Sequence, residues 1–176
     1  MNGFINLLLC SFIFSAVAQG KALEIGKKAP LIKLSGDDGG LVKDGSEFKL
    51  DQIAGKLQVI WYVDPDEKDL NDYAVERQRS EDFPLEKVGS VAIINFEATM
   101  IPNWILGGVI ESSQEKNKNT LYVKDMKKSL IKEWGLKDDS SNVIVLSKDL
   151  KVLYWFGGKL DEKATDEFLS VIKKNI

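Results

Sequence analysis

The sequence predicts an α/β domain in which helices cover both faces of a central sheet. Two apolar runs, at residues 58–63 and 90–96, are rich in β-branched and aromatic residues, as is typical of strands covered on both sides. Apolar residues at helical spacing follow each of these runs. The last third of the chain adds two strand-like runs and an amphipathic stretch, which predict a hairpin and a closing helix.

The domain is expected to begin with short extended pieces. Turn residues at 36–40 predict a loop, and the alternation of polar and apolar residues at 47–50 predicts a short strand. The run at 58–63 predicts the first buried strand, which is stopped at residues 64–66 by Asp-Pro-Asp. The first elements therefore form an N-terminal β extension before the main sheet.

Helices are predicted after each of the first two core strands. The first helix is indicated by residues at i, i+3, i+4 and i+7, with an arginine ending the stripe: Leu70, Tyr73, Ala74 and Arg77. The second core strand is predicted at 90–96. The next helix is indicated by a second stripe: Ile101, Ile105 and Val109. Gly107 and Gly108 weaken this second prediction, because glycine is a poor helix former.

The remaining elements complete a layered sheet. A third strand is predicted at 121–123 and a short helix at 127–134, closed by Gly135. Runs at 142–146 and 152–156 predict the hairpin. The final helix has Asp161 as its N-cap. Its inward stripe is Thr165, Phe168, Leu169 and Ile172.

This order of elements is that of the thioredoxin-like fold. The predicted fold class is α/β: a thioredoxin-like three-layer sandwich with an N-terminal β extension and a C-terminal β-hairpin plus helix. The length suits one core, and the sequence contains neither an internal repeat nor a visible linker. Residues 19–176 are therefore expected to form a single domain.

The N-terminal segment is typical of a secretory signal peptide. Residues 4–18 are mostly apolar, and this stretch is shorter than the roughly 20 apolar residues of a membrane span. Small residues at 16–18 predict cleavage before Gln19, or alternatively before Leu23. The signal peptide is thus assigned to residues 1–18, and the mature protein is expected to have no transmembrane segment. Retention of the segment, or lipidation of Cys10, is the alternative.

Composition excludes several kinds of chemistry. Cys10 is the only cysteine, and the chain has no histidine. A mature protein without Cys10 has no thiol for a disulfide or redox reaction, no Cys/His zinc ligands and no Ser-His-Asp triad. The formal net charge is −3, so nucleic acid is not an expected partner. The sequence indicates no cofactor.

Short pieces of sequence recur in order along the chain and carry a resemblance to a known family. The pieces are Ile94-Asn95, Ile101-Pro102, residues 111–118, residues 134–136, residues 140–149 and Trp155, with a weaker match at 55–56, 66–68 and Asn71. They resemble the YtfJ family of small exported bacterial proteins, which are similar to thioredoxins and peroxiredoxins in fold. The resemblance implies a thioredoxin-like fold and a location in the periplasm.

The resemblance to thioredoxins also implies where redox chemistry would lie. A redox-active protein of this fold carries its cysteines between the first core strand and the next helix, where this chain has Asp-Pro-Asp-Glu-Lys-Asp at 64–69. It also carries a cis-proline before the hairpin strand, near the position of Ser141. Both elements are missing, so no thiol oxidoreductase activity is expected. A thiol reductase or peroxidase would require Cys10 to remain on the mature protein.

Asp64, Asp66, Glu67 and Asp69 form an acidic cluster at that position. The favoured interpretation is that Asp64 or Asp66 caps the following helix and that the other carboxylates interact favourably with the positive end of its dipole. The alternative is a carboxylate-based or metal-dependent enzyme that uses this cluster. The EF-hand spacing is absent, and no metal ligand is assigned.

The tryptophans divide into two groups. Trp61, Trp134 and Trp155 are expected in the core. Trp104 lies at the entry of a predicted helix, where burial is favoured over use as an exposed contact. The candidate interaction surface consists of Asp64, Asp66, Glu67, Asp69, Trp104, Ser140 and Ser141. It lies at the edge where the fold meets its substrates. The predicted function is an exported, redox-inactive protein that binds an unknown periplasmic protein or small ligand.

Overall fold

The computed structural model describes residues 22–176, so the predicted signal segment and Cys10 lie outside the described residues. Within this range the strands are β1 (Lys33–Leu34), β2 (Gly39–Leu41), β3 (Phe48–Lys49), β4 (Leu57–Val63), β5 (Val88–Asn95), β6 (Thr120–Asp125), β7 (Asn142–Leu146) and β8 (Val152–Gly157). The α-helices of the same range are α1 (Asp72–Ser80), α2 (Asn103–Lys116), α3 (Ser129–Trp134) and α4 (Glu162–Asn175). From β4 onward the predicted order of elements is confirmed.

The described strands form one mixed sheet and one small pair. The mixed sheet has the order β2-β6-β5-β4-β7-β8. β4, β5 and β6 run parallel, and the β7–β8 hairpin lies antiparallel beside β4. β1 and β3 form a separate antiparallel pair, which confirms the predicted β extension. Of the helices in residues 22–176, none is long and apolar enough to cross a membrane.

The two faces of the sheet are covered by different elements. Along β4, Ile60 and Tyr62 pack with α3 and the β1–β3 pair. Val59 and Trp61 alternate with them and pack with α1 and α4 on the opposite face. A smaller cluster on α2 and the ends of the central strands holds Leu106 and Ile110. Coverage on both sides explains why the central strands are apolar at successive positions.

Residues 36–40 are not simply a loop. Gly36–Asp38 form a 3₁₀ turn, and Gly39 begins β2, an edge strand paired with β6. A Cβ at Gly39 would lie 1.9 Å from the carbonyl oxygen of Lys124, so only glycine permits this approach. The glycines that indicated a loop are therefore what allows the strand to pair.

Predictions for the C-terminal half are confirmed closely. α3 ends at Gly135, whose φ of 65° is the left-handed conformation expected of a C-terminal glycine. Asp161 caps α4, since its Oδ1 accepts a hydrogen bond of 2.8 Å from the amide N–H of Ala164. The whole predicted inward stripe is buried: Thr165, Phe168, Leu169 and Ile172.

The predicted stripe of α1 is only partly correct. α1 begins at Asp72, and Ala74 is its fully buried side chain, whereas Tyr73 is 47% exposed. Arg77 donates hydrogen bonds to the hydroxyl of Tyr73 and to Asp166 of α4. The helix therefore rests on the core through a narrow face, and the larger predicted residues lie at its rim.

For α2 the predicted helix is correct but its predicted stripe faces the wrong way. Ile101, at the start of this region, and Ile105 and Val109, within the helix, are all exposed. Its buried residues are Leu106, Gly107 and Ile110. The sequence carries two overlapping apolar stripes here, and the one containing Leu106 fits against Phe96 and Tyr122.

Candidate functional site

The predicted acidic cluster lies at the carboxyl end of β4, in the turn of residues 64–69, called here the acidic turn. Asp64 is 3% exposed and caps a 3₁₀ helix, Pro65–Glu67. Its Oδ1 accepts a 2.9 Å hydrogen bond from the amide N–H of Asp66. Burial raises the pKa of the Asp64 carboxyl above its ordinary value, and the hydrogen bond acts in the opposite sense. Asp64 therefore caps this 3₁₀ helix and not α1, the helix that it was expected to cap, because α1 begins only at Asp72 and has Asn71 as its N-cap.

The other acidic residues of the turn are exposed. Asp66 Oδ1 accepts a 2.7 Å hydrogen bond from the hydroxyl of Thr99, and Thr99 Oγ1 accepts one from the amide N–H of Ile101. Asp69 pairs with Lys68 at 2.7 Å. The bond between Asp66 and Thr99 attaches the acidic turn to the loop that leads into α2. Among residues 22–176, no group of acidic side chains is placed to hold a metal ion.

The expectation that Trp104 is buried is wrong, since this side chain is 80% exposed. It lies in the first turn of α2, on the side opposite Leu106 and Ile110. Several apolar neighbours share this exposure, and together they are called here the α2 apolar surface: Met100, Ile101, Trp104, Ile105 and Val109. The sequence did indicate these exposed residues, because α2 carries two apolar stripes and only one of them is needed for packing on the core. Trp61 and Trp134 are buried as predicted, and Trp155 is partly buried.

Ser140 and Ser141 lie at the same end of the sheet but face inward. They are 4% and 3% exposed, so neither hydroxyl is on the surface. The carbonyl of Ser141 accepts a 2.9 Å hydrogen bond from the amide N–H of Gly158. Peptide bonds throughout residues 22–176 are trans, including the one before β7. These serines therefore support the strand end, whereas the exposed groups belong to the acidic turn and α2.

A cavity of about 410 Å³ opens beside the acidic turn and runs along β5. α1 forms one wall, with Arg79 and Gln78 among its side chains, and Ala92 and Tyr122 form part of the floor. The volume lies in the range of small-ligand sites. Gln78 accepts a hydrogen bond of 2.9 Å from the indole N–H of Trp61. The sequence did not indicate this cavity, because it arises from the way α1 and the segment after it lie over β5 and β6.

On the opposite face, Tyr62 and Asp125 form a buried pair. The phenol of Tyr62 donates a 3.1 Å hydrogen bond to Asp125, which also accepts backbone hydrogen bonds from Lys127, Ser129 and Leu130. Burial raises the pKa of Tyr62 far above its ordinary value, and the neighbouring carboxylate raises it further. Tyr62 therefore stays protonated, and the pair anchors the start of α3.

The chain matches a family described as "Bacterial protein of unknown function (YtfJ_HI0045)" over residues 23–175. A relative from Escherichia coli (strain K12), the uncharacterized protein YtfJ, is 26% identical over 179 residues. That alignment covers 96% of this chain and 95% of the relative.

Solved structures resemble the fold of this chain. One described as a thiol:disulfide interchange protein, DsbE, from Chlorobium tepidum aligns with a TM-score of 0.60 at 16% identity, covering 86% of this chain and 99% of that one. The thiol peroxidase from Chromobacterium violaceum aligns with a TM-score of 0.57 at 13% identity, covering 86% of this chain and 88% of that one. At these identities the likeness shows a thioredoxin-like fold alone. The match over residues 23–175 shows that this chain belongs to the YtfJ_HI0045 family of bacterial proteins.

Proposed function

We propose that this is an exported thioredoxin-like protein without thiol redox activity, which binds another protein in the periplasm. The binding surface is the acidic turn together with the α2 apolar surface. One observation carries the proposal: Trp104 and Met100 are 80% and 97% exposed, at the end of the sheet where a redox-active protein of this fold would meet its substrate. Large exposed apolar side chains in a contiguous group are typical of protein contacts.

The absence of redox activity is inferred from the residues at that end of the sheet. The acidic turn has no cysteine, and Ser141 stands where a redox-active protein of this fold would have its cis-proline. Once the signal segment is removed, the mature chain contains no thiol. The electrons that a disulfide or peroxide reduction requires would then have no donor in the protein.

The carboxylate enzyme is less well supported. Asp64 is buried and accepts a backbone hydrogen bond, while Asp66 is engaged by Thr99 and Asp69 by Lys68. A general acid and base would need two carboxyl groups free to reach one substrate. The cavity along β5 is the place where a small ligand would bind, should the partner be small.

The location is tested by the intact mass of the protein recovered from the periplasmic fraction, with and without alkylation. A mass that begins at Gln19 or Leu23, without an alkylation shift, supports export and the loss of Cys10. A mass that retains Cys10, or carries lipid on it, contradicts both parts of the proposal.

Binding is tested by a photo-crosslinking amino acid placed at Trp104 in the full chain, expressed in cells that export it. The control places the same amino acid at Lys163 of α4, whose side chain is 86% exposed. We expect a discrete crosslinked band from position 104 that position 163 does not give. Identical patterns from both positions, or no band at position 104, would overturn the assignment of the surface.

A further inference from the structure

The charges around the α2 apolar surface are not balanced. Three lysines of this neighbourhood already have acidic partners: Lys68 pairs with Asp69, Lys124 with Glu111 and Lys127 with Asp38. Among residues 22–176, no ion pair is formed by three exposed acids of the same region: Asp66, Glu67 and Glu97. A surplus of negative charge therefore borders the exposed apolar side chains.

These carboxylates are close to the apolar residues along the chain and in space. The hydrogen bond between Asp66 and Thr99 holds the acidic turn next to Met100. Glu97 lies two residues before Thr99, in the 3₁₀ helix Phe96–Ala98 that precedes α2. A partner that covers the α2 apolar surface therefore contacts unpaired carboxylates near the N-terminal end of α2.

Gly108 lies on the outward face of α2, four residues after Trp104, so the two share one side of the helix. A Cβ at this position would meet nothing within 4 Å, so the fold itself does not require glycine here. Glycine within a helix is costly, and one use that offsets this cost is close approach of another backbone. The notch at Gly108, flanked by Trp104, suits a packed helix at the short end of the roughly 8–10 Å interaxial range.

We propose that the α2 apolar surface binds a basic amphipathic helix of a partner protein. The apolar side of that helix packs on Trp104 and Ile105 and crosses α2 near Gly108. Its lysine or arginine side chains lie next to the carboxylates of Asp66, Glu67 and Glu97, in the helix-in-groove mode of recognition. An arginine placed over Trp104 adds a cation–π contact. An anionic membrane surface does not fit this site, because the same carboxylates repel it. This inference rests on the proposed binding function.

The test uses two synthetic helical peptides with the same leucine face, one with lysine and one with glutamate at the polar positions. Their binding to the mature protein is measured by titration calorimetry at low and high salt. We expect the lysine peptide to bind at least about tenfold more tightly at low salt, with the difference shrinking as salt screens the charges. The Trp104→Ala substitution should also weaken binding of the lysine peptide.

Two matched triple variants test whether the position of the removed negative charges matters. The first combines Asp66→Asn, Glu67→Gln and Glu97→Gln, in which the amide at position 66 can still accept from Thr99. The control combines Asp51→Asn, Glu86→Gln and Asp149→Asn, which remove three exposed acids at the opposite end of the sheet. The first variant should bind the lysine peptide about tenfold more weakly. The control should match the wild type, and both should keep the wild-type melting temperature.

Two results would overturn the inference without touching the proposed function. They are equal binding of the two peptides and equal effects of the two triple variants. A protein that sedimentation shows to be a dimer broken by Trp104→Ala would overturn both the inference and the proposed function. If crosslinking at position 104 still captures a discrete partner, the surface binds a protein of other chemistry. If crosslinking at position 104 captures nothing but the peptide results are as expected, the inference of basic-helix binding is supported and the proposal of a periplasmic protein partner is contradicted.

Discussion

α4 and α2 are both 14 residues long, but they distribute their apolar residues differently. α4 places its apolar side chains on one face, where the stripe from Thr165 to Ile172 is buried. α2 buries Leu106 and Ile110 and exposes Trp104 and Ile105 on the other side. The contrast separates apolar residues that the fold uses from apolar residues that it leaves on the surface.

The outward face of α4 shows what a helix without a partner carries. Its solvent-exposed positions include Glu162, Lys163 and Glu167. Charged residues at these positions keep the surface solvated and discourage unspecific contact. The corresponding face of α2 lacks this protection in its first half, which is the reason to assign it a binding role.

The largest expected difference is between Phe168→Ala in α4 and Trp104→Ala in α2. Phe168 is fully buried, with ring centroids 5.8 Å from Trp61 and 6.0 Å from Tyr154. Its removal should cost about 3–5 kcal/mol of unfolding free energy, because it leaves a cavity. Trp104→Ala should change stability by less than about 0.5 kcal/mol. Urea unfolding followed by circular dichroism measures both, and a Trp104→Ala loss as large as that of Phe168→Ala would place Trp104 in the core.

A second pair makes the same comparison within α2. Leu106 is 4% exposed, whereas the adjacent Ile105 is 41% exposed. Leu106→Ala should destabilise the protein by about 2–5 kcal/mol, and Ile105→Ala by less than about 1 kcal/mol. Equal losses, measured by the same unfolding experiment, would mean that α2 is rotated relative to the sheet.

The sequence predicted α4 correctly because only one of its faces is apolar, so periodicity and burial agree. It predicted α2 as a helix but could not tell which of two apolar stripes faces inward. That choice depends on the shape of the surface formed by Phe96 and Tyr122, which is set by tertiary packing. The sequence predicted that Asp64 or Asp66 caps a helix, but not that the capped element is a 3₁₀ helix separate from α1. The cavity along β5 has no local signal at all.

The Gly108→Ala substitution should change the unfolding free energy less than Leu106→Ala does, and should increase it. The residue is exposed within α2, and a Cβ would meet no atom within 4 Å. Alanine is a better helix former, so the variant should gain up to about 1 kcal/mol of unfolding free energy. The same variant should bind the lysine peptide more weakly if a partner backbone approaches here. A stabilised variant with unchanged peptide binding would remove the notch from the proposed interface but leave the charge argument intact.

The caps of α4 and of the acidic turn also differ. Asp161 of α4 is an exposed cap, whereas Asp64 of the acidic turn is a buried one whose carboxyl pKa is raised by burial. In Asp64→Asn the amide oxygen can still accept from the N–H of Asp66. The variant should therefore be at least as stable as the wild type near neutral pH, because it buries no charge.

The raised pKa of Asp64 determines how the stability advantage of Asp64→Asn changes with pH. The folded carboxyl of Asp64 holds its proton at higher pH than the unfolded one, so the burial cost is present above the folded pKa and is lost below the unfolded value of about 4. The stability advantage of Asp64→Asn should shrink as pH falls through this interval, as shown by urea unfolding of both proteins across the range. Subtracting the two curves cancels the titration of the carboxyl groups that do not interact with Asp64. An advantage that grows towards acid pH would mean that the charged carboxylate of Asp64 stabilises the turn, with the hydrogen bond from the N–H of Asp66 outweighing the cost of burial.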